Sequence, residues 1–102
     1  MAGTLTVTLS PITVTQTSSS NPVTSSTVTS SVSGGSGVYT YEWTDLSGSL
    51  ISIGSYNYPD TNFSISLAPG DDASGTFRCT ATDYFNPSLV GYKNIYVTLI
   101  RT

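Results

Sequence analysis

The chain has 102 residues, six acidic and three basic side chains, no histidine and a single cysteine. That length points to one domain, spanning residues 1–102, with one hydrophobic core. The lack of histidine removes Ser-His-Asp chemistry and imidazole ligation, the lone Cys79 removes an internal disulfide and a multi-cysteine zinc site, and a net charge of −3 makes nucleic acid a poor partner.

Hydroxyls stand where charge is usual: 17 Thr and 18 Ser against 9% charged residues. With 11% aromatics and many β-branched residues, this is the composition of ordered strands with a neutral polar coat, not of a disordered tract. Alternation of apolar and polar residues is the dominant pattern from the N-terminus onward. Leu5, Val7 and Leu9 share one face, with threonines on the other. Pro11 breaks that ladder, and Ile12-Thr13-Val14-Thr15 resumes it, as an edge strand that bends or switches does. Val28, Ser30 and Val32 share the next face, ending at Gly34-Gly35-Ser36-Gly37. Tyr39, Tyr41 and Trp43 alternate with Thr40, Glu42 and Thr44. Phe63, Ile65 and Leu67 precede a Pro69-Gly70 turn with Asp71-Asp72. Phe77, Cys79 and Ala81, then Ile95, Val97 and Leu99, complete the set. No segment carries a 3.6-residue apolar stripe, so helix is expected to be negligible. Short strands separated by turn signals predict an all-β sandwich or barrel.

Three positions carry a closer resemblance. Ser30-Ser31-Val32-Ser33-Gly34-Gly35 resembles the end of an immunoglobulin strand B, with Ser30 where that family often has its first cysteine. Trp43 in Tyr41-Glu42-Trp43 resembles the strand-C tryptophan. Gly75-Thr76-Phe77-Arg78-Cys79 is similar to the Gly-x-Tyr-x-Cys of strand F. The stretch from Gly34 to Trp43 is also similar to the strand B–C passage of bacterial PKD-type Ig-like repeats. The resemblance covers residues 24–100. It implies an Ig-like sandwich of two antiparallel sheets, seven to nine strands, with Trp43 buried beside Ser30 and Cys79. Two departures accompany it. Ser30 cannot bridge to Cys79, so there is no internal disulfide. Phe77 replaces the tyrosine of the tyrosine corner, and the expected Asp sits one residue early, as Asp72. The core is then expected to rest on Trp43, Tyr41, Phe63, Ile65 and Phe77, and the missing staple suits a reducing compartment.

The segment from Asp83 to Gly91 joins the last two predicted strands and offers consecutive aromatics in a solvent-facing connection. Tyr84, Phe85, Asn86, Pro87 and Leu89 are the candidate partner-binding residues, because aromatic anchors on loops bury much area at small entropic cost. The competing reading folds Tyr84 or Phe85 back as a cap on the end of the sandwich. Tyr56-Asn57-Tyr58-Pro59 is a second aromatic pair, expected chiefly to cover a sheet edge. Residues 1–20 form an N-terminal edge region and an alternative attachment segment. Asp60, Asp71, Asp72 and Asp83 do not form an EF-hand pattern, and no metal or cofactor is expected. Asn62-Phe63-Ser64 matches a glycosylation sequon but falls in a predicted strand. Cys79 reads as a small buried hydrophobe.

Met1-Ala2-Gly3-Thr4 lacks the basic start and apolar stretch of a secretory leader, and no run approaches the ~18–20 apolar residues of a membrane span. The chain is therefore expected to be made in a cytoplasm, without membrane insertion. No set of acid, base and nucleophile is found, so a non-enzymatic module is expected. The resemblance to Ig-like modules of phage and bacteria implies an auxiliary (decoration) protein on the exterior of a phage capsid. Its expected partners are the major capsid protein or another virion protein, and surface glycans. The alternatives are a tail-associated phage module or an Ig-like domain of a bacterial adhesin at the cell surface.

Overall fold

The computed structural model describes residues 5–102 and is all-β, with no helix among them. Residues 1–4 of the predicted N-terminal edge region lie outside the described residues. The strands are β1 (Thr6–Ser10), β2 (Thr13–Ser18), β3 (Val23–Thr24), β4 (Val28–Ser33), β5 (Tyr39–Asp45), β6 (Ser52–Ile53), β7 (Asp60–Thr61), β8 (Phe63–Ile65), β9 (Asp72–Asp83) and β10 (Val90–Arg101). They form three sheets, ordered β1-β4-β7, β2-β10-β9-β5 and β3-β8-β6.

The spine is the β9–β10 hairpin, paired from Val90↔Thr82 to Ile100↔Asp72. Strict alternation explains its length: Gly75, Phe77, Cys79, Ala81 and Asp83 face inward while Thr76, Arg78, Thr80 and Thr82 face out. β5 joins β9 antiparallel, Trp43 opposite Cys79. β2 joins β10 parallel, Thr13 opposite Tyr96. The break at Pro11 lets the chain leave β1, which pairs with β4, and enter β2 in a different sheet.

Ten strands in three sheets differ from the seven to nine in two expected above, and a bulge is the reason. Val23 faces Ile65 and Thr24 faces Ser64, whereas further along Val28 faces Thr61 and Thr29 faces Asp60. Ser25, Ser26 and Thr27 therefore lie opposite only Asn62 and Phe63, one residue too many for a continuous ladder. The buried Ser25 bridges the gap: its N–H donates to Phe63 O at 2.7 Å, and its Oγ accepts from Phe63 N–H at 2.9 Å. A hydroxyl substitutes here for a backbone carbonyl, and β3/β4 and β7/β8 are each split in two.

The core gathers Leu5, Val7, Leu9, Val14, Val23, Val28, Ile51, Ile53, Ile95, Val97 and Leu99 around Trp43, Phe63 and Phe77. Trp43 meets Phe63 edge-on at 6.0 Å between centroids, and Phe63 meets Phe77 at 4.6 Å. Tyr41 and Ile65, placed in the core by alternation, are half-buried at its margin. The Trp43 indole N–H donates to Tyr58 O at 2.8 Å and its backbone N–H to Tyr56 O at 2.9 Å, while Ser30 N–H donates to Pro59 O. The Tyr56–Pro59 segment thus fastens β5 and β4 through its carbonyls while both tyrosine rings stay exposed.

Cys79 is free and buried. Burial pushes its thiol up, and the Ser30 hydroxyl beside it pulls it partly back. Ser30 Oγ is itself buried and makes no hydrogen bond of ordinary geometry.

Trp43→Ala should destabilise the fold by about 3–5 kcal/mol, the range for a large aromatic removed from a core. Urea unfolding checks this, and a midpoint equal to wild type would show that the indole does not organise the core. Ser30→Cys should form a disulfide with Cys79 on oxidation, closing a loop of about 50 residues and stabilising by up to about 4 kcal/mol in the chain-entropy account. Melting under reducing and non-reducing conditions checks it. Two thiols that remain free after oxidation would refute the facing geometry.

Candidate functional site

The end of the molecule formed by the β4–β5 and β9–β10 connections is organised by one carboxylate. Asp83 closes β9 with its side chain 1% exposed. Its Oδ2 accepts from Ser36 N–H at 2.6 Å, and its Oδ1 accepts from Ser36 Oγ at 2.8 Å, Phe85 N–H at 2.9 Å and Asn86 N–H at 3.1 Å. The two bonds to residues 85 and 86 are the turn that Asp makes with the backbone just ahead of it. Those to Ser36 reach across to the other loop. The Ser36 backbone N–H is the main cause that holds the carboxyl below its ordinary value; desolvation opposes it, and the Ser36 hydroxyl and the N–H groups of Phe85 and Asn86 reinforce it.

Glycine is required where this carboxylate packs. Gly35 has φ +65°, and a Cβ there would overlap Asp83 Oδ2. Gly91, on the other side of the loop, has no room for a Cβ against the Leu5 carbonyl, so the start of the described chain lies at this same end.

Three more N–H groups of the β9–β10 connection are bonded. Asp83 N–H donates to Leu89 O, Tyr84 N–H to Val38 O at 2.8 Å, and Leu89 N–H to Asn86 O at 2.9 Å. Ser88 Oγ closes the turn on Asn86 Oδ1 at 2.7 Å, and Pro87 has no N–H to satisfy. On this fixed backbone Tyr84 and Phe85 are 61% and 70% exposed and stand edge-to-face, 5.1 Å between centroids. Asn86 and Pro87 are exposed beside them. Leu89 is half-buried and packs against the core, so its contact surface is turned inward. Exposed Val38 continues the apolar tip on the neighbouring loop.

Asp45 uses the same device at the other end of β5. Its Oδ1 accepts from Ser47 N–H, Ser47 Oγ and Gly48 N–H, and its Oδ2 from Ser49 Oγ at 3.0 Å. Partial burial pushes this carboxyl up, but the bonds from Ser47, Ser49 and Gly48 outweigh it and the net shift is downward.

Among the described residues no three or more Cys, Asp or Glu side chains converge. Asp60, Asp71, Asp72 and Asp83 are spread over β7, the turn before β9, and the two ends of β9. An open polar depression of about 300 Å³ lies over the bulge, lined by Thr27, Ser55, Asp60, Thr61 and Asn62. It holds one carboxylate, and its other lining groups are hydroxyls and an amide. No helix among the described residues is long and apolar enough to cross a membrane.

The part of the site that alternation and loop composition did not reveal is Asp83 as its hub. Asp followed by a turn was a local signal for the bonds to Phe85 and Asn86. Its partner Ser36, 47 residues away, has none. Comparison with protein-family models, curated proteins and solved structures returns no match for this chain.

Asp83→Asn should lower the melting temperature at pH 7, because an amide turns an N–H₂ toward donors that a carboxylate accepts. Asp83 is depressed on folding, so its stabilisation is complete above the unfolded-state value near 3.8 and fades as the pH falls through the lower folded value. The gap between wild type and variant should therefore be constant from pH 7 to 5 and close below about pH 4. Melting curves across that range are the measurement. A gap independent of pH would mean that the charge on Asp83 contributes nothing.

Proposed function

We propose that this chain is a non-catalytic docking module of Ig-like sandwich architecture. We further propose that it serves as an auxiliary protein on the exterior of a phage capsid, bound to the major capsid protein or another virion protein. The observation that carries the docking reading is the Tyr84–Phe85 pair on a backbone whose N–H groups are bonded from Asp83 to Asn86. An aromatic anchor that is already ordered loses little entropy on binding, which is what an interface hot spot requires. Neither ring is needed by the core, so the cap reading leaves their exposure unexplained.

The sandwich reading is supported by the switch of the chain from β1 in one sheet to β2 in another, and by Trp43 opposite Cys79 with Ser30 beside that thiol. The free thiol at that position is compatible with folding in a reducing cytoplasm, where virion parts are assembled.

Tyr84→Ser with Phe85→Ser should lower occupancy on particles stripped of the protein by at least about tenfold, since each anchor of this kind contributes more than a factor of ten. With only nine charged residues in the chain (six acidic, three basic), wild-type occupancy should change little with added salt. Quantitative mass spectrometry of purified particles reads both. Undiminished occupancy of the double variant would move docking to the exposed edge of β1, and a steep loss with salt would sink the non-ionic mode. Absence of the protein from particles altogether would refute the virion assignment and leave the adhesin reading.

A further inference from the structure

The outward face of the β2-β10-β9-β5 sheet carries a second aromatic surface, separate from the loop end. Tyr92 and Tyr96 project from the same side of β10, 59% and 65% exposed. Four residues of strand set them about 13 Å apart along the sheet. Asn94 lies between them, opposite Arg78 on β9. The Arg78 guanidinium rests 4.0 Å from the centroid of the Tyr92 ring, and its Nε donates to Asn94 Oδ1 at 2.9 Å. Thr76 and Thr13 flank Tyr96 on the two neighbouring strands, and Thr80 flanks Tyr92. Tyr96 is thus an open aromatic plate flanked by hydroxyls, and Tyr92 carries the Arg78 guanidinium over one face, with the Asn94 amide between them and no aliphatic side chain among these cross-strand neighbours.

We infer that this face binds a neutral oligosaccharide chain. A pyranose ring offers an apolar face of C–H groups and a rim of hydroxyls. Its complement is a flat ring surface with hydrogen-bond donors and acceptors around it, which is the arrangement on β9 and β10. The separation of the two tyrosines exceeds the width of one sugar, so the strip suits a chain, with one sugar stacked on Tyr96 and the following ones over Asn94 toward the Arg78 guanidinium that covers one face of Tyr92. Arg78 is held at both the ring and the amide, so its remaining N–H groups are donors fixed before the ligand arrives. The Asn94 amide N–H₂ adds two more.

The same chemistry argues against two other occupants. A protein hot spot wants an apolar centre that loses all its water. That description fits Val38, Tyr84 and Phe85 at the loop end and not a row of threonines. A nucleic acid wants cations along its backbone, and Arg78 is the one cation among the cross-strand neighbours of these tyrosines.

Affinity electrophoresis of the intact chain through native gels tests the inference, with a soluble cellulose ether, laminarin, mannan and galactan as neutral probes and heparin and a single-stranded oligonucleotide as anionic ones. At least one neutral polysaccharide should retard the protein, equally at low and high salt. Tyr96→Ala should weaken that retardation about tenfold, as loss of one stacking ring does, whereas Tyr96→Phe should preserve it. Tyr84→Ser with Phe85→Ser should leave it unchanged, which separates this site from loop docking. Equal melting temperatures establish that Tyr96→Ala is folded; were it to melt early, Tyr92→Ala reads the same interaction. Retardation by none of the neutral probes, retention by heparin or the oligonucleotide alone, or retardation equal in wild type and the folded alanine variants would each overturn the inference.

Discussion

Nothing covalent joins the sheets across the core, so their relative position rests on the contact of Trp43 with Phe63 and of Phe63 with Phe77. These three residues come from β5, β8 and β9, elements of two different sheets. Aliphatic residues fill the space around them, but the rings fix the spacing because close-packed interiors tolerate little change in shape. The carbonyls of Tyr56 and Tyr58 then lock the backbone and the indole of Trp43. The place at which a staple would bind β4 to β9 holds instead a thiol beside a hydroxyl, Cys79 and Ser30, which packs without cross-linking.

Serine and threonine do more than coat this protein. Ser25 completes a ladder at the bulge, Ser36 ties one loop to another through Asp83, and Ser47 and Ser49 close the turn on Asp45. Each replaces a backbone partner at a place where regular pairing ends, which satisfies polar groups that burial would otherwise penalise. Structure that other chains obtain from ion pairs is obtained here from short neutral or carboxylate-assisted bonds. With nine charged side chains in 102 residues, the surface carries little fixed charge.

The long strands were legible because alternation persists over enough residues to be seen. β9 and β10 run for 12 residues each, and the inward positions Phe77, Cys79 and Ala81 of β9 were readable from its sequence, whereas Asp83 read as the first residue of the loop. β3, β6 and β7 were not legible, since two residues cannot display a period of two. The bulge that divides the sheets depends on the side chain of Ser25 reaching Phe63, a pairing no local pattern encodes. Tyr41 and Ile65 carried the right phase but lie near the margin of the core, where phase does not decide depth. In the loop, composition left Tyr84 and Phe85 open between a contact surface and a cap, and the structure has both rings exposed. The inward turn of Leu89 was not legible, because it depends on the Asn86–Leu89 turn closing beneath it.

The parallel pairing of β2 with β10 has a mechanical consequence. Chain entering β2 at Thr13 and chain leaving β10 at Arg101 depart in opposite directions along one shared ladder, Tyr96↔Thr13 to Arg101↔Ser18. Tension applied across the molecule loads all of those hydrogen bonds together in shear, instead of peeling them open one after another. Resistance to stretching is set by the barrier to that concerted rupture and not by the equilibrium stability of the fold. Under a sudden pull, this ladder is then the element whose rupture lets the two ends of the chain separate.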